Sequence, residues 1–206
     1  MLNDIDAVPW RTLRHAFGEA SDVPRLIRSL AAGDREERQT ALKELFACLL
    51  HQGTVYEATA LAVPFLFELL SSGSTPERNW IAFLVASIAD GKGYLSVHIG
   101  VDEQRWRKIL AERGTTLEAE REREDRIVRM VHAEVGRAVH LLLPYLSDGQ
   151  SEIRAAIARA LGMHPQRAGE LLPMLEAAEA RETADDAREA IRQSIVMLRA
   201  SSRPQA

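Results

Sequence analysis

The side chains best suited to chemistry in this sequence are polar and aromatic, and many fall near one stretch. His51-Gln52-Gly53-Thr54-Val55-Tyr56 is its most distinctive segment, bringing an imidazole, an amide, a hydroxyl and a phenol together. On a connector such groups fit binding, because loops on rigid scaffolds collect functional residues. They also fit a purely structural corner. Gly53 can end a helix in the left-handed conformation, His51 suits the negative end of a helix dipole, and Thr59 can cap the helix that follows. Cys48 lies three residues before His51. Its place at the end of the apolar helix 41–50 predicts a buried, inert thiol and not a nucleophile.

The remaining candidates are sparser. The histidines at 15, 51, 98, 132, 140 and 164 include no i, i+3 or i, i+4 pair, so no helix carries a two-histidine metal face. Arg105-Trp106-Arg107-Lys108 is the compact basic-aromatic cluster. Such a cluster can contact phosphates or stack on a base. Here Asp102 and Glu103 precede it and an acidic stretch follows, which dilutes its field. Trp106 reads more simply as a core residue. Gly91-Lys92-Gly93 has neither the length nor the strand context of a phosphate loop. No catalytic residue, cofactor or metal site is expected. The expected binding set is His51, Gln52, Thr54, Tyr56, Trp80, Tyr94, His98 and Trp106.

Composition narrows the function classes. The 206 residues are 46% apolar and 27% charged, as in a soluble globular protein. A net charge of −4 argues against a general nucleic-acid binder. One cysteine rules out an internal disulfide and a cysteine-rich zinc site. The acidic start Met1-Leu2-Asn3-Asp4-Ile5-Asp6 lacks the basic stretch and apolar run of a signal peptide, and no apolar run reaches membrane length. A cytoplasmic location is therefore expected, with another protein as partner and neither specific nucleic acid nor membrane.

These residues must be positioned by helices, because apolar spacing of three and four recurs from Val23 to Leu198. The exception is Tyr94 to Val101, where Leu95, Val97, Ile99 and Val101 alternate and predict a short extended piece inserted between units. The helical part repeats. Leu30, Leu70 and Leu146 are equivalent anchors. Leu26, Leu66 and Leu142 lie four residues before them, and Val23, Val63 and Val139 seven before. Arg38, Arg78 and Arg154 lie eight residues after, then Ala41, Ile81 and Ile157, then Leu45, Val85 and Leu161. Leu171-Leu172-Pro173-Met174-Leu175 repeats Leu142-Leu143-Pro144-Tyr145-Leu146 and starts a fourth copy. A degenerate unit, with Trp106 and Leu110 on its first helix, fills the long gap between the second and third copies.

Each copy reads as a helical hairpin. Asp34 with Glu37, Ser74 with Glu77, and Thr183 with Asp186 are expected to start the second helices. Pro24, Pro64, Pro144 and Pro173 are expected to kink the first ones. The boundaries are 9–53 (with an N-terminal helix), 54–90, 91–133 (irregular insertion and degenerate repeat), 134–164 and 165–200, followed by a tail at 201–206. Within 112–126, glutamates alternate with arginines as a solvated helix face or as an arm that grips a partner. The expected pairs there are Glu122–Arg126, Glu118–Arg121 and Glu120–Arg123.

The repeat resembles HEAT repeats of the phycobilin-lyase type. Pro9-Trp10-Arg11-Thr12-Leu13-Arg14-His15-Ala16-Phe17-Gly18, Asp22-Val23-Pro24, the segment His51 to Ala60, and Val63-Pro64-Phe65-Leu66 are similar to a bacterial group of small stand-alone HEAT-like proteins. The resemblance implies an all-α, right-handed solenoid of about four to five hairpins in one domain. It implies a non-enzymatic scaffold that binds another protein in trans through its concave face or loop edge. An immunity-type protein that occludes a cognate toxin is one form of this. The alternative is a HEAT-like enzyme, such as a DNA glycosylase or a bilin lyase. No histidine is followed by glutamate, so the repeated His-Glu ligands of di-iron HEAT-repeat hydroxylases are missing.

Overall fold

The computed structural model describes residues 2–98 and 103–201. The chain opens with 3-10 turns at Ile5–Ala7 and Trp10–Thr12, then a small hairpin of β1 (Arg14–His15) and β2 (Gly18–Glu19). The helix expected at the start of the first unit is therefore absent from it. Pro9 supplies no N–H to a helical ladder, and Gly18, at φ 130°, takes a conformation that disfavours side-chain-bearing residues. Trp10 is buried and donates from Nε1 to the Ile5 carbonyl at 2.6 Å.

The first helical pair is α1 (Val23–Ala32) and α2 (Arg35–Leu49). Asp34 and Glu37 form a reciprocal capping box, each accepting the other's backbone N–H at 2.9 Å. A second hairpin follows, β3 (Leu50–His51) and β4 (Thr54–Val55), and then the pair α3 (Glu57–Ser71) and α4 (Arg78–Ala89). Pro24 sits in the first turn of α1, whereas Pro64 lies inside α3. Ser74 does not cap α4. The helix starts after Glu77, a left-handed residue at φ 54°.

Tyr94–His98 forms a short helix, α5, and not the extended piece its alternation predicts. Only Leu95 of that helix is buried, so helical backbone bonding outweighs the alternation. Ile99 and Val101 lie outside the described residues. Next come α6 (Glu103–Glu112) and the long α7 (Leu117–Arg137). In the third copy the expected first helix is replaced by 3-10 turns at Val139–Leu141 and Leu143–Ser147, with Pro144 near the start of the second turn. The remaining helices are α8 (Ser151–Gly162), α9 (Ala168–Glu179, enclosing Pro173) and α10 (Asp185–Ser201). No described helix is long and apolar enough to cross a membrane.

Packing follows the sequence repeat. α4 lies against α2 and α8, and α8 lies against α10; α3 lies against α1 and α7. Val23, Val63 and Val139 are fully buried, as are Leu45, Val85 and Leu161. Truncating one such leucine to alanine costs about 2–5 kcal/mol.

The repeated arginine does more than mark the register. Arg38 donates to the Gly33 carbonyl of its own unit at 2.8 Å and to Glu77, at the start of α4, at 2.7 Å. Arg154 repeats this, donating to the Asp148 carbonyl at 2.8 Å and to Glu182 through two bonds of 2.6 and 2.7 Å. Arg78 crosses to the third copy differently, with its guanidinium 5.9 Å above the Tyr145 ring. The Arg154–Glu182 pair is the most enclosed of the three. Glu182 also accepts the N–H groups of Thr183 and Ala184, so it takes the place expected of Thr183 ahead of α10.

The Arg154 bonds hold the Glu182 carboxyl down to about 2. A depressed folded value contributes stability above the ordinary glutamate range and loses it as pH falls from about 5 toward 2. Arg154→Ala is expected to destabilise by about 3 kcal/mol near neutral pH, because it strands a buried carboxylate. The difference from wild type should narrow as pH falls through that window in thermal unfolding. Arg192→Ala, which breaks the exposed Arg192–Glu179 pair, should leave the unfolding temperature nearly unchanged.

Candidate functional site

The His51–Tyr56 segment is a tight hairpin. Its central residues, Gln52 at φ 51° and Gly53 at φ 81°, both have positive φ, as a type I′ turn requires. His51 is consequently a strand residue and not part of the last turn of α2. Thr59 is not the cap of α3. It lies fully buried in the first turn, where its hydroxyl accepts the Tyr56 N–H at 2.9 Å and donates to the Leu49 carbonyl at 2.7 Å. That one side chain closes the end of α2 onto the start of α3.

The connector after α4 pairs with this hairpin. The Lys92 N–H donates to the Gly53 carbonyl at 2.9 Å, and the Val55 N–H donates to the Lys92 carbonyl at 3.0 Å. Both flanking glycines are needed for the approach. A Cβ on Gly91 would stand 2.2 Å from Val55 Cγ1, and one on Gly93 would stand 2.6 Å from a Glu124 oxygen. This pairing carries α5 to the edge of the hairpin, so the two segments singled out in the sequence are neighbours in space.

Between them lies a cavity of about 310 Å³. The hairpins contribute Arg14, His15 and Thr54, and Tyr56 follows at the N-cap of α3; α5 and α6 contribute Tyr94 and Trp106, and the turn after α6 contributes Arg113; α3 and α7 contribute Glu57, Glu120, Arg123 and Glu124. Tyr94 meets Trp106 edge to face at 5.6 Å and lies 4.3 Å from His98. The Thr54 hydroxyl is buried and has no hydrogen bond of normal geometry. Glu124 is buried and accepts the Leu95 N–H at 2.9 Å, and burial pushes its carboxyl upward. Arg123 joins Glu57 at 2.8 Å to Glu120 at 2.7 Å.

His51, Gln52 and Trp80 face a different region. With Leu42, Phe46 and Phe83 they line a more open groove of about 710 Å³ along α2 and α4. Phe46 and Trp80 each contact Phe83, at 5.7 and 5.8 Å. Phe17, at the tip of the first hairpin, packs edge-on against His51 at 5.3 Å yet remains 67% exposed. The eight expected residues therefore divide: Thr54, Tyr56, Tyr94 and Trp106 line the cavity, His98 stacks beside it, and the other three line the groove.

Sequence reasoning missed Phe46 and Phe83 in the groove, Phe17 beside it against His51, and Arg14, Arg113 and Glu124 in the cavity. The charged stretch is a clamp as well as a solvated face. Glu120–Arg123 and Glu122–Arg126 pair as expected, but Glu118 pairs with Arg107 on α6 at 2.7 Å. In the basic-aromatic cluster, Arg107 is thereby engaged by Glu103 and Glu118. His132 and His164 come near enough for His132 to disfavour protonation of His164. Burial is the larger cause, and together with Arg167 they hold His164 down to about 4. Among the described residues no group of three or more His, Cys, Asp or Glu could hold a metal ion.

Comparison with family models, curated proteins and solved structures gave no match.

Cys48 is buried beneath this region, and burial pushes its thiol up to about 12, with a smaller effect from Asp22. The thiolate, which is the reactive form, is scarce at neutral pH. Iodoacetamide at pH 8 is expected to leave native Cys48 unmodified and to alkylate it fully in denaturant. Rapid labelling of the native protein, read by intact mass, would contradict the burial.

Proposed function

We propose that the protein is a non-enzymatic HEAT-like scaffold, a right-handed α-solenoid, that binds another protein through the groove along α2 and α4. The observation that carries this reading is the run of apolar and aromatic surface from Phe17 through His51 and Phe46 to Phe83 and Trp80. Phe17 is 67% exposed and Trp80 is 40% exposed. Large aromatic side chains left in water are costly unless a partner covers them, and they dominate the centres of protein interfaces. Lys43 and Glu77 border the groove and supply a polar rim. Successive helical pairs packed side by side support the solenoid reading, because repeat arrays expose long grooves of this kind. Immunity-type occlusion of a toxin is one form such binding would take.

Co-expression with the products of adjacent reading frames tests the reading. One product is expected to co-purify with the wild-type chain. Trp80→Ala or Phe17→Ala should weaken that complex by roughly thirtyfold or more, the effect of losing a hot-spot aromatic. Both side chains are exposed, so the unfolding temperature should change by only a few degrees. Unchanged affinity in both variants would place the interface elsewhere.

A further inference from the structure

The cavity behind Tyr56 has a different chemistry from the groove and does not depend on it. Its wall contains an aromatic corner, where Tyr94 and Trp106 meet at 75°. A planar ring entering such a corner can stack on one face and meet the other edge-on. At the mouth stand two exposed guanidinium groups, Arg14 and Arg113, neither bonded to a carboxylate among the described residues. The carboxylates nearby are already engaged. Glu57 and Glu120 are both held by Arg123, and Glu124 accepts the Leu95 N–H. Deeper in the wall, the 1% exposed Thr54 places its hydroxyl beside the Tyr56 phenol. A cavity of about 310 Å³ is large enough for a small ligand.

We infer that this cavity binds a small planar aromatic anion, with its ring in the Tyr94–Trp106 corner and its negative group at Arg14 and Arg113. A nucleoside monophosphate and an aromatic carboxylate share this chemistry.

Calorimetric titration of the intact protein tests the assignment with four probes: adenosine 5′-monophosphate, indole-3-acetate, adenosine and inorganic phosphate. At least one of the two aromatic anions should saturate a single site below about 1 mM, and which one does so identifies the anionic group. Adenosine and phosphate, each retaining half of the contacts, should bind at least about tenfold more weakly. Arg113→Ala should weaken the aromatic anion about tenfold or more, the scale of a lost charge-assisted hydrogen bond. Arg113 is exposed, so the helical circular dichroism of that variant should match wild type. Trp80→Ala should leave the titration unchanged, which separates this site from the groove. The inference is overturned if neither aromatic anion saturates, if adenosine binds as tightly as its monophosphate while indole-3-acetate does not bind, or if Arg113→Ala leaves the affinity unaltered.

Discussion

The apolar stripes of the helical pairs are buried against neighbouring elements, and the repeated arginine ties each clear copy to the next clear copy. Arg38, Arg78 and Arg154 occupy one register position and reach into the second, third and fourth copies respectively. The partner differs: a carboxylate for Arg38 and Arg154, an aromatic face for Arg78. In the two ion pairs the guanidinium also binds a carbonyl of its own connector, so one side chain fixes both the turn within a unit and the contact between units. The Arg38 pair has a local consequence. It holds the Glu77 carboxylate while the Glu77 backbone adopts a left-handed conformation, which costs about 1–3 kcal/mol for a residue other than glycine.

That stacking fixes where the functional surfaces fall. α2 and α4 lie close enough for Phe46 and Phe83 to meet, which forms the floor of the groove. The connector between the first two units becomes a hairpin. The β3–β4 hairpin takes the Gly91–Gly93 connector along its edge through Lys92, and α5 and Glu124 are then held over Tyr56. Groove and cavity thus share the segment 50–56 but face different ways, one apolar and open, the other polar and partly enclosed.

Much of the helical framework was legible in the sequence because its signal is local and periodic. The valines at 23, 63 and 139 and the leucines at 26, 66 and 142 are all buried, as their spacing requires. Asp34 with Glu37 announced a capping box that forms in full. The failures have physical causes. Two-residue strands have no period to detect, so β1 to β4 were invisible, although Gly53 between short β-prone pairs hinted at a turn. The third copy carries 3-10 turns around Pro144 where the matching Pro173 lies inside α9, a difference the shared Leu-Leu-Pro-x-Leu pattern does not encode, and alternation at Tyr94–His98 lost to helical backbone bonding. The site residues were half legible. Tyr56, Tyr94 and Trp106 were found by residue type, whereas Glu124 sits among charges that resemble a solvated face. Its burial depends on an N–H at Leu95 that needs an acceptor and on the absence of a Cβ at Gly93.

The claim that an arginine staple couples successive units is tested most directly by a double-mutant cycle on Arg38 and Glu77. Equilibrium unfolding of Arg38→Ala, Glu77→Ala and the double variant gives the coupling free energy of the pair. A coupling above about 1 kcal/mol is expected, beyond the usual range of exposed pairs. A coupling indistinguishable from zero would contradict it, leaving the apolar stripes alone to hold the units together.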